Sequence, residues 1–240
     1  FTTDIDWASE DILSLFFKKI NNFNIRLDAF ITHDSDIINL NELKGNLIKH
    51  PHPNFCLPSS HGKSEDEIIE YILKLVPNSL GLRMHRFGTN SGIEHKFKEN
   101  FGYKYISNCV NLLQKNIRPF VLESGMVSLP IFFEDGTHLY QKMNLDFKNF
   151  ESKFSSNGLK IISFHPIDFA LNSNSYEFMR KVRDSVSRDE YNNMSKEIIN
   201  KVKNDSKGIR DFIYQIFEFV EKNNMKIMTL DEIYSEIVRK

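Results

Sequence analysis

The sequence predicts an α/β fold in which one barrel-like domain spans residues 1–240. Patterns typical of strands and of helices alternate from one end of the chain to the other, which indicates parallel strands joined by helical crossovers. The length of 240 residues also matches a single (β/α) barrel. Because no stretch rich in Gly, Ser or Pro marks a linker, we expect one domain rather than two.

Short runs of branched and aromatic apolar residues predict the strands. The run Leu159–His165 is the clearest, and several others also end in a charged residue or a histidine. The predicted strands are Phe1–Asp6, Ile25–Thr32, Asn46–His50, Leu80–His85, Tyr103–Ser107, Phe120–Glu123, Val127–Phe133, Leu159–His165 and Lys226–Met228.

Capping residues and amphipathic stripes predict the helices between these strands. Ser64–Glu67 and Thr229–Glu232 are capping-box patterns that begin two helices, and another is expected over residues 91–102, ending at a glycine. The polar segment Asn172–Lys207 predicts a helical excursion beside the site or on the surface. Apolar stripes run along the first helix (Ile12, Leu13, Phe16, Phe17, Ile20) and along a late one (Ile209, Phe212, Ile213, Ile216, Phe217, Val220).

Composition and charge argue against several classes of protein. The 31 Lys and Arg residues balance 32 Asp and Glu residues, and a net charge of −1 argues against a nucleic-acid partner, which needs a cationic surface. No apolar stretch reaches the ~18–20 residues of a membrane span. We therefore expect a cytoplasmic protein. Since the chain begins with Phe1 rather than Met, an exported protein whose signal peptide has been removed is the alternative.

Acidic residues and histidines lie at the carboxyl ends of several predicted strands. In a parallel barrel these ends converge on one rim, where active sites lie. Carboxylates and imidazoles together suit a divalent ion such as Zn²⁺, which provides a hydrolytic nucleophile by lowering the pKa of a bound water to ~7. Each residue also has an ordinary structural interpretation, such as a helix N-cap for Asp6. The residues are Asp4, Asp6, His50, His52, Arg83, His85 and His165.

Short motifs along the whole chain resemble those of NodB-type polysaccharide deacetylases, which are carbohydrate esterases. The opening D-x-D-W pattern is closer still to a divergent branch associated with surface-polysaccharide biosynthesis. The resemblance implies a distorted (β/α) barrel and a metal-dependent N-deacetylase that hydrolyses the acetamido group of a sugar in a surface glycan or its precursor. The motifs are Phe1–Trp7, His52–Phe55, Leu82–His85, Pro130–Asp135, Phe164–Ile167 and Lys226–Glu232.

The resemblance also implies roles for individual residues. Asp4 matches the general base, and Asp6 matches a metal-binding acid. His52 matches the first histidine ligand, Arg83 the arginine that braces the catalytic carboxylate, and His165 the general acid. The implied cofactor is one divalent ion, with Zn expected ahead of Co, Ni, Mn or Fe, and the implied partner is an N-acetylated saccharide.

The second histidine motif departs from the family pattern, which has two histidines a few residues apart. The next histidine after His52 is His61, in a loop, whereas His85 shares the predicted strand Leu80–His85 with Arg83. Metal binding could offset the entropy of ordering the loop, so His61 and His85 both remain candidates for the third ligand.

Two further alternatives stay open. Glu134 and Asp135 precede Gly136 and are typical of a solvated turn, although they could instead orient Arg83 or His165. The chain could also be another metal-dependent amide hydrolase on the same barrel, or a saccharide-binding module that has lost catalysis. The presence of both a candidate base and a candidate acid favours an enzyme, because a pure binder has no use for the pair.

Overall fold

The computed structural model describes residues 1–57 and 59–239. Strands and helices alternate as predicted over residues 1–101, but four strands then follow without a helix between them, and the described chain from residue 166 onward contains only helices. The strands in that part of the chain are β1 Thr2–Asp4, β2 Leu27–Ile31, β3 Leu47–Pro51, β4 Gly81–Leu82, β5 Tyr105–Ile106, β6 Phe120–Val121, β7 Val127–Ser128, β8 Ile131–Glu134 and β9 Ile161–Phe164. The helices are α1 Glu10–Ile20, α2 Asp36–Leu43, α3 Glu65–Leu75, α4 Ser91–Phe101, α5 Asp135–Tyr140, α6 Glu151–Phe154, α7 Pro166–Leu171, α8 Tyr176–Asp184, α9 Arg188–Asn192, α10 Lys196–Val202, α11 Ile209–Lys222 and α12 Leu230–Val238, with 3₁₀ turns at His85–Phe87 and Phe147–Asn149.

Two sheets form the wall of the barrel. A five-stranded parallel sheet has the order β3-β2-β1-β9-β8, and a four-stranded sheet has the order β4-β5-β7-β6, in which β6 is antiparallel to β7. The sheets meet where the Arg83 N–H donates to the Pro51 carbonyl at 3.2 Å and the His85 N–H donates to the Pro53 carbonyl at 2.9 Å. The result is a distorted (β/α) barrel, which confirms the predicted fold class.

Helices pack against the five-stranded sheet around an aromatic core. The predicted stripe of α1 is buried, and its Phe16 ring lies 5.8 Å from Phe164 of β9 and 5.3 Å from Phe169 of α7, measured between ring centroids. Burying one such side chain contributes about 1.5–3 kcal/mol. This packing therefore fixes the positions of the helices that follow β1 and β9, and with them the chain segments that lead into these helices.

The structure corrects two of the predicted strands. The run Val127–Phe133 is divided at Pro130 between β7 and β8, which belong to different sheets, because proline has no N–H to donate to a ladder. Lys226–Met228 joins neither sheet. The chain just after it is held instead by the Leu230 N–H, which donates to the Asp28 carboxylate at 3.1 Å.

The polar segment Asn172–Lys207 contains α8, α9 and α10 and lies against the loop between β1 and α1. The Ser9 hydroxyl donates to the Met194 carbonyl at 2.7 Å, and the Lys196 N–H donates to the Asp11 carboxylate at 3.0 Å. The predicted excursion therefore lies beside the loop that carries Asp6.

Two expectations concern the whole chain. Within residues 1–57 and 59–239, no helix combines the length and the apolar character needed to cross a membrane. The assignment of residues 1–240 to a single domain stays a prediction.

Candidate active site

Arg83 lies at the centre of the barrel and is fully buried. Its Nη1 donates to Asp4 Oδ1 at 2.5 Å and to the hydroxyls of Thr2 and Ser163, while its Nε donates to the Ser107 carbonyl at 2.8 Å. A buried guanidinium is stable only when its charge is paired and its donors are bonded. Arg83 therefore fixes the Asp4 carboxylate through Oδ1 and leaves Oδ2 unoccupied by the guanidinium.

A sharp turn after β1 directs Asp6 into the same space. Asp6 and Trp7 have φ angles of 40° and 57°, a left-handed conformation that is strained in residues other than glycine and is common at functional sites. The predicted strand Phe1–Asp6 is therefore wrong in its last two residues, because β1 ends at Asp4. The Trp7 N–H donates to the Thr32 hydroxyl at 3.1 Å, which holds the turn.

The Asp6 carboxylate meets two histidines. Its Oδ1 lies 3.2 Å from His52 Nε2 and 3.3 Å from His85 Nδ1. His52 Nδ1 lies 2.8 Å from the Arg83 carbonyl, which can only accept, so Nδ1 donates and neutral His52 presents its lone pair on Nε2. Donor atoms of a tetrahedral zinc site lie about 3.3 Å apart, given bonds of 2.0–2.1 Å. Asp6, His52 and His85 could therefore hold a divalent ion.

His85 reaches this group differently from the prediction. The predicted strand Leu80–His85 is reduced to β4, and His85 begins a 3₁₀ turn in which Arg86 has a φ of 56°. The N–H groups of Arg83 and His85 nevertheless donate to alternate carbonyls, those of Pro51 at the end of β3 and of Pro53 just after it. The shared face of the two residues therefore persists beyond the end of the strand.

His61, the other candidate ligand, packs between Tyr71 and Trp7, with ring centroids 4.9 Å and 5.4 Å away. Its Nδ1 accepts the Asn54 N–H at 3.1 Å, so the proton of the neutral ring lies on Nε2. Burial, the largest effect, lowers the pKa of His61 to about 4, which keeps the ring neutral. The His61 Nε2 atom is buried, and no described residue accepts a hydrogen bond from it with suitable distance and angle.

Two buried acids lie beside His165. Asp135 Oδ1 lies 2.6 Å from His165 Nδ1, and Asp135 Oδ2 accepts the His165 N–H at 2.7 Å. Glu134 instead caps α5, where its carboxylate accepts the N–H groups of Gly136 and Thr137. The expectation of a solvated turn is therefore wrong, and Asp135 orients His165, as the alternative interpretation predicts.

Opposite pKa shifts give His165 and Asp6 complementary charges. Burial alone would lower the pKa of His165, but the charge and hydrogen bond of Asp135, with the charges of Asp6 and Glu134, raise it well above its usual value. Burial alone would raise the pKa of Asp6, but its contacts with His52 and His85 and the charge of His165 hold that pKa well below its usual value. His165 Nε2 lies 3.7 Å from Asp6 Oδ2. At neutral pH the site therefore contains a proton donor beside an ionised carboxylate.

Sequence reasoning missed Asp168 and Tyr191. Asp168 is buried in the first turn of α7, where its Oδ1 accepts the Ser173 hydroxyl at 2.7 Å; burial first, then the charge of Asp135, raises its pKa to about 7. Its position in the helical turn after His165 was a usable signal. Half-buried Tyr191 of α9 lies near Asp168 and Asp6, whose charges add to burial in raising the pKa of its phenol. Nothing in the polar segment distinguished Tyr191 beforehand.

Most of the predicted residues converge on one space at the carboxyl ends of the strands. His61 borders that space through Trp7, whereas His50 is hydrogen-bonded to Asp28 elsewhere in the barrel. The residues brought together are Asp4, Asp6, His52, Arg83, His85 and His165.

Comparisons with known proteins agree with this architecture. The family described as WbmS-like polysaccharide deacetylase matches residues 1–183. A crystal structure from Bordetella bronchiseptica, assigned as a polysaccharide deacetylase involved in O-antigen biosynthesis, is similar with a TM-score of 0.77 and 24% identity, covering 90% of this chain and 88% of that chain. A structure from Mycobacterium smegmatis, also assigned as a polysaccharide deacetylase, has a TM-score of 0.45 and 16% identity over 92% of this chain and 80% of that chain. A search of curated proteins finds no significant match.

The family match includes every residue of the site from Asp4 to His165. The similarity to the Bordetella structure, at 24% identity, shows a shared fold. Because the match extends over residues 1–183 of the 240 in the chain, this protein belongs to the WbmS-like polysaccharide deacetylase family.

Proposed function

We propose that this protein is a metal-dependent N-deacetylase that hydrolyses the acetamido group of a sugar in a surface glycan or its precursor. The single observation that carries the proposal is the meeting of three kinds of group in one space. These are a set of metal-type donors, a carboxylate with a free oxygen and an imidazole held protonated. Metal-assisted amide hydrolysis uses all three, because the carbonyl must be polarised, a water activated and the leaving amine protonated.

Asp4 is suited to take the proton from the attacking water. Arg83 binds Oδ1, while Oδ2 lies 3.9 Å from His52 Nε2, on the side of the candidate metal ligands. A general base must lie within hydrogen-bond reach of the proton that it removes. The buried guanidinium holds Asp4 in one orientation, which serves that requirement.

His165 is suited to protonate the leaving amine. Asp135 binds Nδ1 and leaves Nε2 directed towards Asp6 Oδ2, 3.7 Å away. The raised pKa keeps the imidazole protonated at neutral pH, so Nε2 carries a proton on the side of the reacting group. Transfer of that proton to the amine completes the hydrolysis.

Asp6, His52 and His85 would hold the metal ion. When bound, the ion supplies Lewis acidity that polarises the acetamide carbonyl and lowers the pKa of a water to ~7. The Arg83 carbonyl fixes the His52 tautomer with Nε2 free. His85 is favoured over His61 as third ligand, because the Asn54 N–H places the ring proton of His61 on Nε2, its remaining nitrogen. Mixed nitrogen and oxygen donors suit Zn²⁺, and also Co²⁺, Ni²⁺, Mn²⁺ or Fe²⁺.

The family and the structural relative support the proposed substrate class. Family members are described as polysaccharide deacetylases, and the Bordetella relative is assigned to O-antigen biosynthesis. We extend this to the present chain as a proposal, with lipopolysaccharide biosynthesis as its setting and an N-acetylated saccharide as its substrate.

Measuring acetate release from N-acetylated sugars tests the proposed function. Protein stripped of metal with a chelator should be inactive, and adding Zn²⁺ should restore activity. Asp4→Asn is the matched control, since it should keep the metal, lose the activity and so exclude a contaminating enzyme. Full acetate release by metal-free protein, or equal release by Asp4→Asn, would contradict the proposal.

A further inference from the structure

Helix α9 (Arg188–Asn192) borders the site and lies outside residues 1–183, which the family match covers. Arg188 and Tyr191 are three positions apart on this helix, so both side chains lie on one face. The contacts of these two residues direct that face towards the loop after β1 and towards α7. Helix α9 therefore contributes a wall that the family assignment does not explain.

The guanidinium of Arg188 lies over the ring of Trp7. Its Cζ is 5.6 Å from the ring centroid, and the Trp7 ring is in turn edge-on to His85, with 5.0 Å between centroids. Arg188 is exposed to solvent. A positively charged, planar donor group thus lies on the solvent side of the candidate metal ligands, two aromatic contacts away.

The acids beside Arg188 in the sequence do not neutralise it. Glu190 caps α9 by accepting the Ser187 N–H at 2.8 Å, and Asp189 accepts the Asn193 side chain at 3.2 Å. Arg188 forms no ion pair with any residue that the structure describes. Arg188 can therefore pair with an anionic group of a ligand.

Tyr191 continues the same face towards the interior of the site. Its ring is half-buried against the core, and its phenol lies near enough to Asp168 and Asp6 to sense both charges. An ordinary phenol is neutral at pH 7, with a pKa of ~10, so its hydroxyl can donate a hydrogen bond. Tyr191 thus adds an uncharged donor on the same helix face as Arg188.

We propose that Arg188 and Tyr191 form a subsite that binds an anionic group of the acetamido sugar, either a carboxylate on the sugar ring or a phosphate attached to it. This inference rests on the proposed function, because it takes an acetamido sugar to occupy the centre of the site. A guanidinium binds either anion through two parallel charge-assisted hydrogen bonds, and packing on Trp7 orients its plane. The enzyme then selects anionic acetamido sugars over neutral ones.

Acetate release from three related sugars by the zinc-loaded protein tests this subsite. The sugars are N-acetylglucosamine, which is neutral, its uronic acid and its 1-phosphate. The wild-type kcat/KM should be higher for at least one anionic sugar than for the neutral one. The anionic preference is the kcat/KM for the anionic sugar divided by the kcat/KM for the neutral sugar. Arg188→Ala should lower this ratio by about 10–100-fold, the range for a lost charge-assisted hydrogen bond. Arg188→Lys should restore part of it, and the anion with the larger ratio identifies the natural group.

A matched control is Arg180→Ala, which removes an arginine that pairs with Asp184 at 3.4 Å on α8. This variant should leave the ratio unchanged. The expected loss for Arg188→Ala lies mainly in KM, and it should shrink as salt screens the charge. Tyr191→Phe should lower kcat/KM for the same anionic sugar by a smaller factor.

Two outcomes overturn the subsite. One is a wild-type protein with no preference for either anion, and the other is an equal loss for neutral and anionic sugars in Arg188→Ala, which indicates a purely structural role. If no sugar releases acetate, the proposed function fails, and calorimetric binding of the same three sugars then decides on the subsite alone. Tighter binding of an anionic sugar that weakens in Arg188→Ala supports the subsite, and equal binding of all three rejects it.

Discussion

His50 and His52 are two residues apart in the sequence and have opposite environments. His50 lies within β3 and is fully buried, with Nε2 2.8 Å from Asp28 Oδ1 and Nδ1 2.9 Å from the Ser79 hydroxyl. Both of its ring nitrogens therefore have partners within the protein. Asp28 also accepts the Leu230 N–H at 3.1 Å, so this pair ties α12 to the five-stranded sheet.

His52 lies just beyond the end of β3. One of its nitrogens bonds to the Arg83 carbonyl, and the other faces Asp6 Oδ1 at 3.2 Å and Asp4 Oδ2 at 3.9 Å. Histidine and aspartate thus stabilise the fold within β3, and just beyond the end of β3 they form a group of candidate metal donors. A free lone pair at a strand end is therefore a better indicator of a site than a histidine–aspartate pair alone.

The largest expected difference comes from replacing each histidine by alanine. His52→Ala should lose its bound metal and lower acetate release by more than ~10²-fold, since a donor atom is removed. His50→Ala should retain metal but lower the free energy of unfolding by about 3–5 kcal/mol, because the Asp28 carboxylate is left buried without its partner. Metal analysis and urea unfolding measure the two effects. The comparison breaks down if folded His50→Ala protein loses the metal.

Asp4→Asn separates the proposed general base, Asp4, from the proposed metal ligand, Asp6. We expect kcat to fall by about 10²–10⁴-fold, the usual range for a lost general base, with metal occupancy largely intact. Steady-state kinetics and metal analysis of the same sample provide the measurement. Loss of the metal instead would mean that the roles of Asp4 and Asp6 are exchanged.

Single substitutions by glutamine decide which histidine completes the donor set of His52. His85→Gln should weaken metal binding by about 10–100-fold, because the amide oxygen replaces the imidazole only in part. His61→Gln should leave metal affinity close to wild type, since Trp7 and Tyr71 surround the ring in a buried packing role. Competition with a metal-binding dye measures both affinities. The opposite result would assign the third ligand to His61.

A shift in pH dependence is the smallest expected effect. Because His165 is the proposed general acid, activity should fall as pH rises through its pKa, which Asp135 keeps high despite burial. Asp135→Asn removes that charge, lowers the pKa of His165 and should move the alkaline limb of the kcat profile to lower pH. A kcat profile between pH 6 and about 10 tests this. An unchanged alkaline limb would assign it to a group other than His165.

Local sequence patterns predict much of the fold. The stripe of α1 is buried as its spacing indicates, α4 ends at Gly102 with a φ of 72°, and Thr229 and Glu232 form the capping box that begins α12. Each of these features is formed by residues within one or two helical turns of each other, so a short stretch of sequence is enough to predict it. The placement of polar residues at strand ends follows equally directly, because parallel strands in a barrel share one rim.

Other properties depended on contacts between distant parts of the chain. The sequence predicts a solvated turn at Asp135, but the pairing of β8 with β9 buries this residue. Its Oδ1 lies 2.6 Å from Nδ1 of His165, which is 30 residues away in the sequence. The turn at Asp6 likewise follows from the Thr32 hydroxyl on the loop after β2, rather than from any local glycine.

The sequence by itself determined the buried helical stripes, the helix caps and the set of polar residues at the strand ends, because each rests on neighbouring residues. Only the tertiary structure decided which donors meet, which histidine is fully bonded and which wall surrounds the site. Those outcomes depend on burial and on the direction of individual hydrogen bonds across the barrel. His50 and His52 look equivalent in the sequence, and they differ only once Asp28, Ser79 and Arg83 are in place.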